Sequence, residues 1–272
     1  MATTPQAEPR ATLTYLAKLA LFFWLLRSLV VAPFSIPSES MLPRLLIGDY
    51  LFVTKFNYGY SRWSFPWGFP PMPGRVGWST PKRGDVVVFR GPPGEDHDVI
   101  KRVIGVAGDT IQVRHGQLIL NGAPVPKRRV GDFILPLSPN FDEAHCPAEF
   151  RAIEANAPVC RLPRFHETLP GGVGYDVLDL GQFPDRDETG VYAVPAGDVF
   201  VMGDNRDNSA DSRFAAPADA LPGQEAGMGY LPVDHVEGKA VLSFFSTDGS
   251  AAWVEPWTWF SAARWRRIGE GF

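Results

Sequence analysis

The 272-residue sequence has few cysteines, little net charge and only one long apolar run. The two cysteines, Cys146 and Cys160, neither establish nor exclude an oxidising compartment. A formal net charge of −4 provides no basic field, so nothing points to a nucleic-acid partner. None of the five histidines lies in a serine-nucleophile motif, no Gly-x-Ser-x-Gly elbow occurs, and no internal repeat is evident.

Proline (26 residues) and glycine (27 residues) are plentiful. Together with short Val/Ile/Phe runs they predict β-strands joined by turns, for example at 86–89 and 99–104. Residues 123–190 are less regular and predict the body of an inserted subdomain, followed later by a Gly/Pro-rich loop at 215–229. Both cysteines lie in the inserted part, where a local disulfide and two free thiols are the alternatives.

The single long apolar run covers residues 13–34. Twenty-two residues make a helix of about 33 Å, which is about one bilayer core. Lys18 and Arg27 interrupt the run, but each lies near one end and can extend to the membrane surface. A single spanning helix is therefore favoured.

A cleaved signal peptide and an interfacial helix are the alternatives for this run. Residues 30–32 have the small-residue look of a cleavage site, although Pro33 would follow the cut. Trp24 and the two charges allow an interfacial position. Because Arg10 and Lys18 lie on the N-terminal side, we expect the N-terminus in the cytoplasm and the bulk of the chain outside.

Two further segments are rich in aromatic residues, 59–80 and the C-terminal tail 257–272. The first is either a buried aromatic loop or a surface that enters the outer leaflet, since Trp and Tyr favour that depth. The second mixes aromatic with basic residues, which is typical of a segment on a membrane surface.

The segment 36–43 follows the apolar run and is bounded by Pro37 and Pro43. Each proline restricts its own φ and favours extended conformations in the residue before it. The segment is either a Ser/Pro linker or a stiff support for a nucleophilic serine.

A serine nucleophile needs a group that takes its proton. A buried lysine can do this, because burial disfavours the ammonium form. Lys101 lies in a predicted strand and, by alternation, shares one face with Val99 and Val103. Three alternatives to a general-base role for Lys101 remain. Lys55 also follows an apolar strand and could take that role, and Lys101 could be a solvated strand lysine. A Ser-His-Asp triad that uses His97 is the third.

A third polar segment, 203–213, carries three aspartates and two arginines and predicts a buried ion network. A turn held by Asp and Asn side chains is one alternative. A calcium loop is another, but Arg206 and Ser209 fall where an EF-hand needs a ligand or glycine.

Five stretches in this order resemble type I signal peptidases, and the preceding apolar run fits their membrane anchor. The stretches are Pro37-Ser38-x-Ser40-Met41-x-Pro43, Gly48-Asp49, Arg83-Gly84-Asp85-Val86-Val87-Val88-Phe89, Ile100-Lys101-Arg102-Val103-Ile104-Gly105 with Gly108-Asp109, and the segment from Gly203-Asp204-Asn205-Arg206 to Arg213. Arg44 departs from the threonine often found after the second proline. No catalytic role rests on this position, and an effect of Arg44 on the contacts with substrate is the expectation.

The resemblance implies a serine/lysine dyad, with Ser40 as nucleophile and Lys101 as general base. It implies an oxyanion hole made by the Ser38 hydroxyl and the Ser40 backbone N–H. Further implied roles are Ser209 orienting the lysine, supporting positions at Asp204, Asp211 and Arg213, and a substrate pocket lined by Phe34, Ile36, Met41 and Ile100.

The implied fold is mainly β. A cytoplasmic tail (1–12) and a transmembrane helix (13–34) precede an antiparallel catalytic domain (35–113 and 196–256), which contains an inserted, less regular β subdomain (114–195). An aromatic and basic tail (257–272) ends the chain.

The implied function is removal of signal peptides from secreted preproteins after Ala-x-Ala-like sequences, through an acyl-enzyme. We expect no metal or other cofactor. The expected partners are signal peptides and the lipid bilayer, and the expected location is the bacterial plasma membrane, with one span and the catalytic domain on the periplasmic side. The alternatives are a related peptidase for a specialised substrate, such as a conjugation-pilus subunit, and a non-enzymatic membrane-tethered β binding domain.

Overall fold

The computed structural model describes residues 9–77, 79–91, 97–215, 227–252 and 254–272. Residues 1–8 of the predicted tail and 216–226 of the predicted Gly/Pro-rich loop lie outside them. The helices are α1 (Pro9–Leu25), α2 (Pro184–Asp187) and α3 (Thr258–Ala262). The strands are β1 (Val31–Ser35), β2 (Asp49–Thr54), β3 (Tyr60–Ser61), β4 (Arg75–Val76), β5 (Val86–Arg90), β6 (Asp98–Val106), β7 (Thr110–Arg114), β8 (Gln117–Leu120), β9 (Ala123–Pro124), β10 (Lys127–Arg129), β11 (Phe133–Pro136), β12 (Arg151–Glu154), β13 (Ala157–Leu162), β14 (Arg164–Thr168), β15 (Gly174–Leu178), β16 (Tyr192–Ala193), β17 (Asp198–Met202), β18 (Leu231–Pro232) and β19 (Val236–Ser246).

The N-terminal helix α1 continues through a π-helical turn, Leu26–Val30, and passes directly into β1. The stretch Arg10–Val30 is long and apolar enough to cross a membrane, and nearly all of it is exposed in the protein. The predicted end of the helix at residue 34 is wrong, because residues 31–34 belong to β1 and pair with β2. Pro33 is tolerated there because β1 is an edge strand, where a missing N–H breaks no ladder bond.

A seven-stranded antiparallel sheet carries the candidate site, with the strand order β1–β2–β19–β5–β6–β17–β18. Alternation along β6 is visible in its packing. Val99 and Val103 pack in one apolar cluster with Val87, whereas Ile100 packs in a different one. Lys101 lies opposite Val87 in the register of β5 and β6. It therefore shares a face with Val99 and Val103, as the alternation predicted.

Strands β7 to β16 pair with one another in three smaller sheets, in the orders β16–β7–β8–β9, β10–β14–β15 and β11–β13–β12. In the described chain none of them joins the seven-stranded sheet, which resumes at β17. The prediction of a mainly β chain with an N-terminal apolar helix and antiparallel sheets is confirmed. The division into domains at residues 114 and 195 stays a prediction.

Cys146 and Cys160 form a disulfide, which was one of the two alternatives for them. Both are at most 1% exposed and pack with Leu42 and Leu46, which follow Ser40 closely in the chain. The region between β6 and β17 therefore contributes to the apolar packing behind the candidate nucleophile.

Candidate active site

Ser40 and Lys101 meet although 61 residues separate them in the chain. The Lys101 Nζ lies 2.6 Å from the Ser40 Oγ, and the two residues are 4% and 8% exposed. Lys101 is held in the interior of the sheet by β6. A neutral amine this close to a hydroxyl, in a site largely shielded from water, can take the proton of that hydroxyl.

A tight turn fixes the position of Ser40. The Leu42 N–H donates to the Glu39 carbonyl (3.0 Å), and the Asn205 N–H donates to the Ser40 carbonyl (3.0 Å). Met41 and Leu42 are at most 1% exposed, so their side chains anchor the turn in the core. The Ser/Pro segment thus has the stiffness that a positioned nucleophile needs.

Ser38 is placed beside the nucleophile. Its Oγ lies 3.4 Å from the Ser40 Oγ, and the pair is partly buried. A hydroxyl in this position can donate to an oxygen on which negative charge develops next to Ser40. The oxyanion role predicted for Ser38 agrees with this geometry and stays a prediction.

The segment 203–213 forms a buried ion pair between Asp211 and Arg213. The Arg213 Nε and Nη2 lie 2.9 Å from the two carboxylate oxygens of Asp211, and the Gly203 N–H donates to Asp211 Oδ2 (3.0 Å). Burial opposes ionisation of Asp211, but Arg213 and the Gly203 N–H outweigh it and hold the pKa of Asp211 below its usual value. This pair closes the loop that follows β17.

Asp204 binds an arginine that sequence reasoning did not single out. Arg102 Nε and Nη2 lie 2.7 and 2.6 Å from the two carboxylate oxygens of Asp204, and Arg102 Nη1 donates to the Gly84 carbonyl (2.8 Å). Arg102 directly follows Lys101, and both are at most 4% exposed. Two consecutive cations within an apolar strand were the signal for this pair. Because arginines hold Asp204 and Asp211, the calcium-loop alternative finds no support in their contacts.

A second buried arginine, Arg206, joins the site to the region between β6 and β17. Its guanidinium forms a two-pronged ion pair with Glu167 of β14, whose carboxylate also accepts a hydrogen bond from the Tyr175 hydroxyl (3.0 Å). Arg102 stacks over the Tyr175 ring at 4.5 Å. Glu167 is 0% exposed and Arg206 is 5% exposed, so this charge cluster lies in the protein interior.

Ser209 is buried next to Gly203. A Cβ on Gly203 would lie 2.3 Å from the Ser209 Oγ, so only glycine fits there. The Ser209 hydroxyl forms no hydrogen bond within the described part of the chain. The hydrogen bond predicted from Ser209 to Lys101 is therefore not made in this arrangement, and its orienting role stays a prediction.

The dyad faces a cleft of about 470 Å³. Three of the four predicted pocket residues, Phe34, Ile36 and Ile100, line this cleft. Met41 does not line it and is 0% exposed, because its side chain turns into the core beneath Ser40. Besides the dyad and Ser38, the polar residues of the cleft wall are Ser35, Glu39, His97, Asp98, His145 and Asn208.

Arg44 does not line the cleft, so the expected effect on substrate contacts finds no support. Its side chain instead donates to the Gly271 carbonyl and lies 5.3 Å from the centroid of the Phe272 ring. The C-terminal tail therefore packs against the segment that follows Ser40.

Arg267 makes a further tail contact, which sequence reasoning missed. It pairs with the fully buried Asp49 (Nη2 to Oδ2, 2.6 Å) and donates to the Arg44 carbonyl (2.8 Å). Trp257, Phe260 and Trp265 in the same tail remain exposed. The predicted membrane-surface character therefore fits the exposed aromatic side chains and the exposed Arg266, whereas Arg267 points into the protein.

Known proteins show clear similarity to this chain. The family described as "Signal peptidase, peptidase S26" matches residues 10–245. A signal peptidase I of Rickettsia typhi (strain ATCC VR-144 / Wilmington) is 34% identical over 245 residues, covering 87% of this chain and 79% of that protein. A signal peptidase I of Rickettsia prowazekii (strain Madrid E) is 34% identical over 230 residues, covering 82% and 75%. A crystal structure of a signal peptidase I from Enterococcus faecalis V583 is 21% identical and covers 59% of this chain and 97% of that chain, with a TM-score of 0.29, too low to establish a common fold.

Proposed function

This chain belongs to the signal peptidase family, peptidase S26, and from that premise we propose that it cleaves signal peptides through a Ser40/Lys101 dyad. It is a peptidase, and its family removes signal peptides. The observation that carries the dyad is the 2.6 Å contact between the Lys101 Nζ and the Ser40 Oγ in a buried position.

The reaction proceeds in two halves. The Ser40 Oγ attacks the carbonyl carbon of the scissile bond while the Lys101 Nζ takes the hydroxyl proton. That proton passes to the leaving amine as the C–N bond breaks, which leaves an ester between Ser40 and the substrate. A water molecule then gives a proton to Lys101 and attacks the ester, and Ser40 regains that proton as the acid product leaves. The Ser38 hydroxyl and the Ser40 N–H donate to the oxygen that carries charge in both halves.

Substrate choice follows from the apolar side of the cleft. Phe34, Ile36 and Ile100 line the cleft that the dyad faces, and in this proposal they favour small side chains such as a methyl group. We assign these residues to the first and third positions before the cut, which gives an Ala-x-Ala preference. A secreted preprotein with such a sequence is the expected substrate.

The catalytic part lies on the extracytoplasmic side of a bacterial plasma membrane. Arg10 and Lys18 favour a cytoplasmic N-terminus, and Arg10–Val30 is one span. The Cys146–Cys160 disulfide supports the same side, because such bonds persist in oxidising compartments.

The test is cleavage of a preprotein with an Ala-x-Ala site by the full chain in detergent. Ser40→Ala and Lys101→Met should each lower kcat by at least about a thousandfold, since general base catalysis and covalent catalysis are lost together. Ser261→Ala and Lys82→Met, which change exposed residues of the same types, are the matched controls and should cleave normally. Wild-type kcat/KM should rise with pH as one basic group loses its proton. Near-normal cleavage by either dyad variant would refute the assignment.

A further inference from the structure

A second cavity, of about 790 Å³, lies where the spanning helix meets the sheet. It is enclosed by the end of the helix and by residues 62–68, which carry two short helical turns. Phe34 and Asp98 line both this cavity and the catalytic cleft, so the two spaces adjoin.

Aromatic rings form much of the cavity wall. The Trp24 ring stacks on Phe65 at 5.9 Å, which joins the spanning helix to the 62–68 segment. Trp67 is 94% exposed beside them. Indole rings favour the interface between bilayer and water, so this wall lies at headgroup depth when the helix spans the membrane.

Four cations line the same cavity, and they fall into two classes. Lys55 pairs with Glu237 at 2.9 Å, and Arg90 pairs with Asp98 at 3.1 Å. Arg27 and Arg62 are exposed and form no ion pair with any residue in the described ranges of the chain. Arg62 instead lies 4.5 Å from the centroid of the Trp63 ring.

Unpaired guanidinium groups at headgroup depth suit one kind of ligand. A phosphate accepts paired hydrogen bonds from a guanidinium fork, and the negative surface potential of an anionic membrane attracts nearby cations. We propose that this cavity binds the phosphate group of an anionic membrane phospholipid. Arg27 and Arg62 hold the phosphate, and the rings of Trp24 and Phe65 contact the apolar part of the lipid.

The position of the cavity at the end of the spanning helix favours a lipid over a free anion as the ligand. Arg27 lies in the last turn of the span, where phospholipid phosphates are at their highest local concentration. The rings beside the arginines offer apolar contact that a free phosphate ion cannot use.

The test measures binding of phosphatidylglycerol to the detergent-solubilised full chain by native mass spectrometry, and it needs no peptidase activity. Arg27→Gln with Arg62→Gln should weaken binding about 25-fold, since each basic residue near an anionic membrane contributes about a fivefold factor. The matched control is Arg114→Gln with Arg128→Gln, two exposed arginines that also form no ion pair in the described chain, and it should bind within about twofold of wild type. Arg27→Lys with Arg62→Lys should restore part of the affinity, because charge without the planar fork remains.

Three results would overturn the proposal. The first is equal affinity of the double glutamine variant and the control. The second is displacement of the lipid by inorganic phosphate at equal concentration, which would show a free-anion site. The third is equal binding of phosphatidylcholine, which would show that net negative charge is not selected. Circular dichroism of each variant confirms that the fold is intact.

Discussion

Replacing Glu167 by glutamine should destabilise the protein far more than any surface change of the same kind. Glu167 is 0% exposed and is the counter-ion of Arg206, which is itself buried. Glutamine keeps the shape of the side chain but removes its charge, so the Arg206 guanidinium is left buried without its direct partner. Breaking a buried ion pair by removing one partner costs about 3–5 kcal/mol in the free energy of unfolding. For a chain of this size that corresponds to a fall in Tm of about 6–20 °C.

The assay is thermal unfolding of the full chain in detergent, followed by circular dichroism. The control is Glu154→Gln, which breaks the pair with Arg161 on the surface, where the two side chains are 34% and 47% exposed. An exposed pair of this kind contributes at most about 1 kcal/mol. Replacing Glu167 and Arg206 together by methionine should recover most of the lost stability, because no unpaired charge then remains in the interior. A Glu167→Gln variant that melts within 2 °C of the Glu154→Gln control would refute the reasoning.

Three further predictions follow from contacts described above. Arg267→Gln leaves the buried Asp49 unpaired and loosens the segment after the nucleophile, so kcat for preprotein cleavage should fall at least about tenfold with little change in KM, as steady-state kinetics would show. Burial raises the pKa of Asp207 to about 6, so the folded chain keeps a proton that the unfolded chain releases near pH 4. The free energy of unfolding should therefore fall as the pH rises from about 4 to about 6 in the wild type, and it should fall less in Asp207→Asn. Urea unfolding at each pH would show this difference. Replacing Cys146 and Cys160 by serine opens a loop of 14 residues and should cost about 3 kcal/mol, measured by the same urea unfolding.

Local patterns predicted what depends on near neighbours in the chain. The alternation along β6 placed Lys101 on the face of Val99 and Val103, as found. The meeting of Lys101 with Ser40 could not be predicted that way, because it depends on how distant strands pair. The resemblance to a family supplied that pairing, since the motifs occur in one order.

The contacts that Arg267 and Glu167 make with distant charged residues could not be predicted from the sequence. Arg267 and Asp49 lie 218 residues apart, and a basic residue among exposed aromatics has the same local pattern whether it faces lipid or a buried carboxylate. Glu167 likewise has the local sequence pattern of an ordinary strand residue. Only the position of β14 in the fold places it beside Arg206. The end of the helix was missed because residues 31–34 are apolar enough for a membrane, and only their pairing with β2 makes them a strand.

The helix that begins at Pro9 passes into β1 with no loop between them, so the proposed membrane anchor and the seven-stranded sheet are directly joined. The five residues of β1 follow Val30 directly, and Ser40 comes ten residues after Val30. The proposed nucleophile can therefore lie no more than about 36 Å from the end of the helix. In the proposed orientation, this short connection limits how far Ser40 can lie from the bilayer. In the proposed reaction, a substrate has to bring its scissile bond within that distance of the membrane, so the position of the bond would restrict cleavage in addition to the size of its side chains.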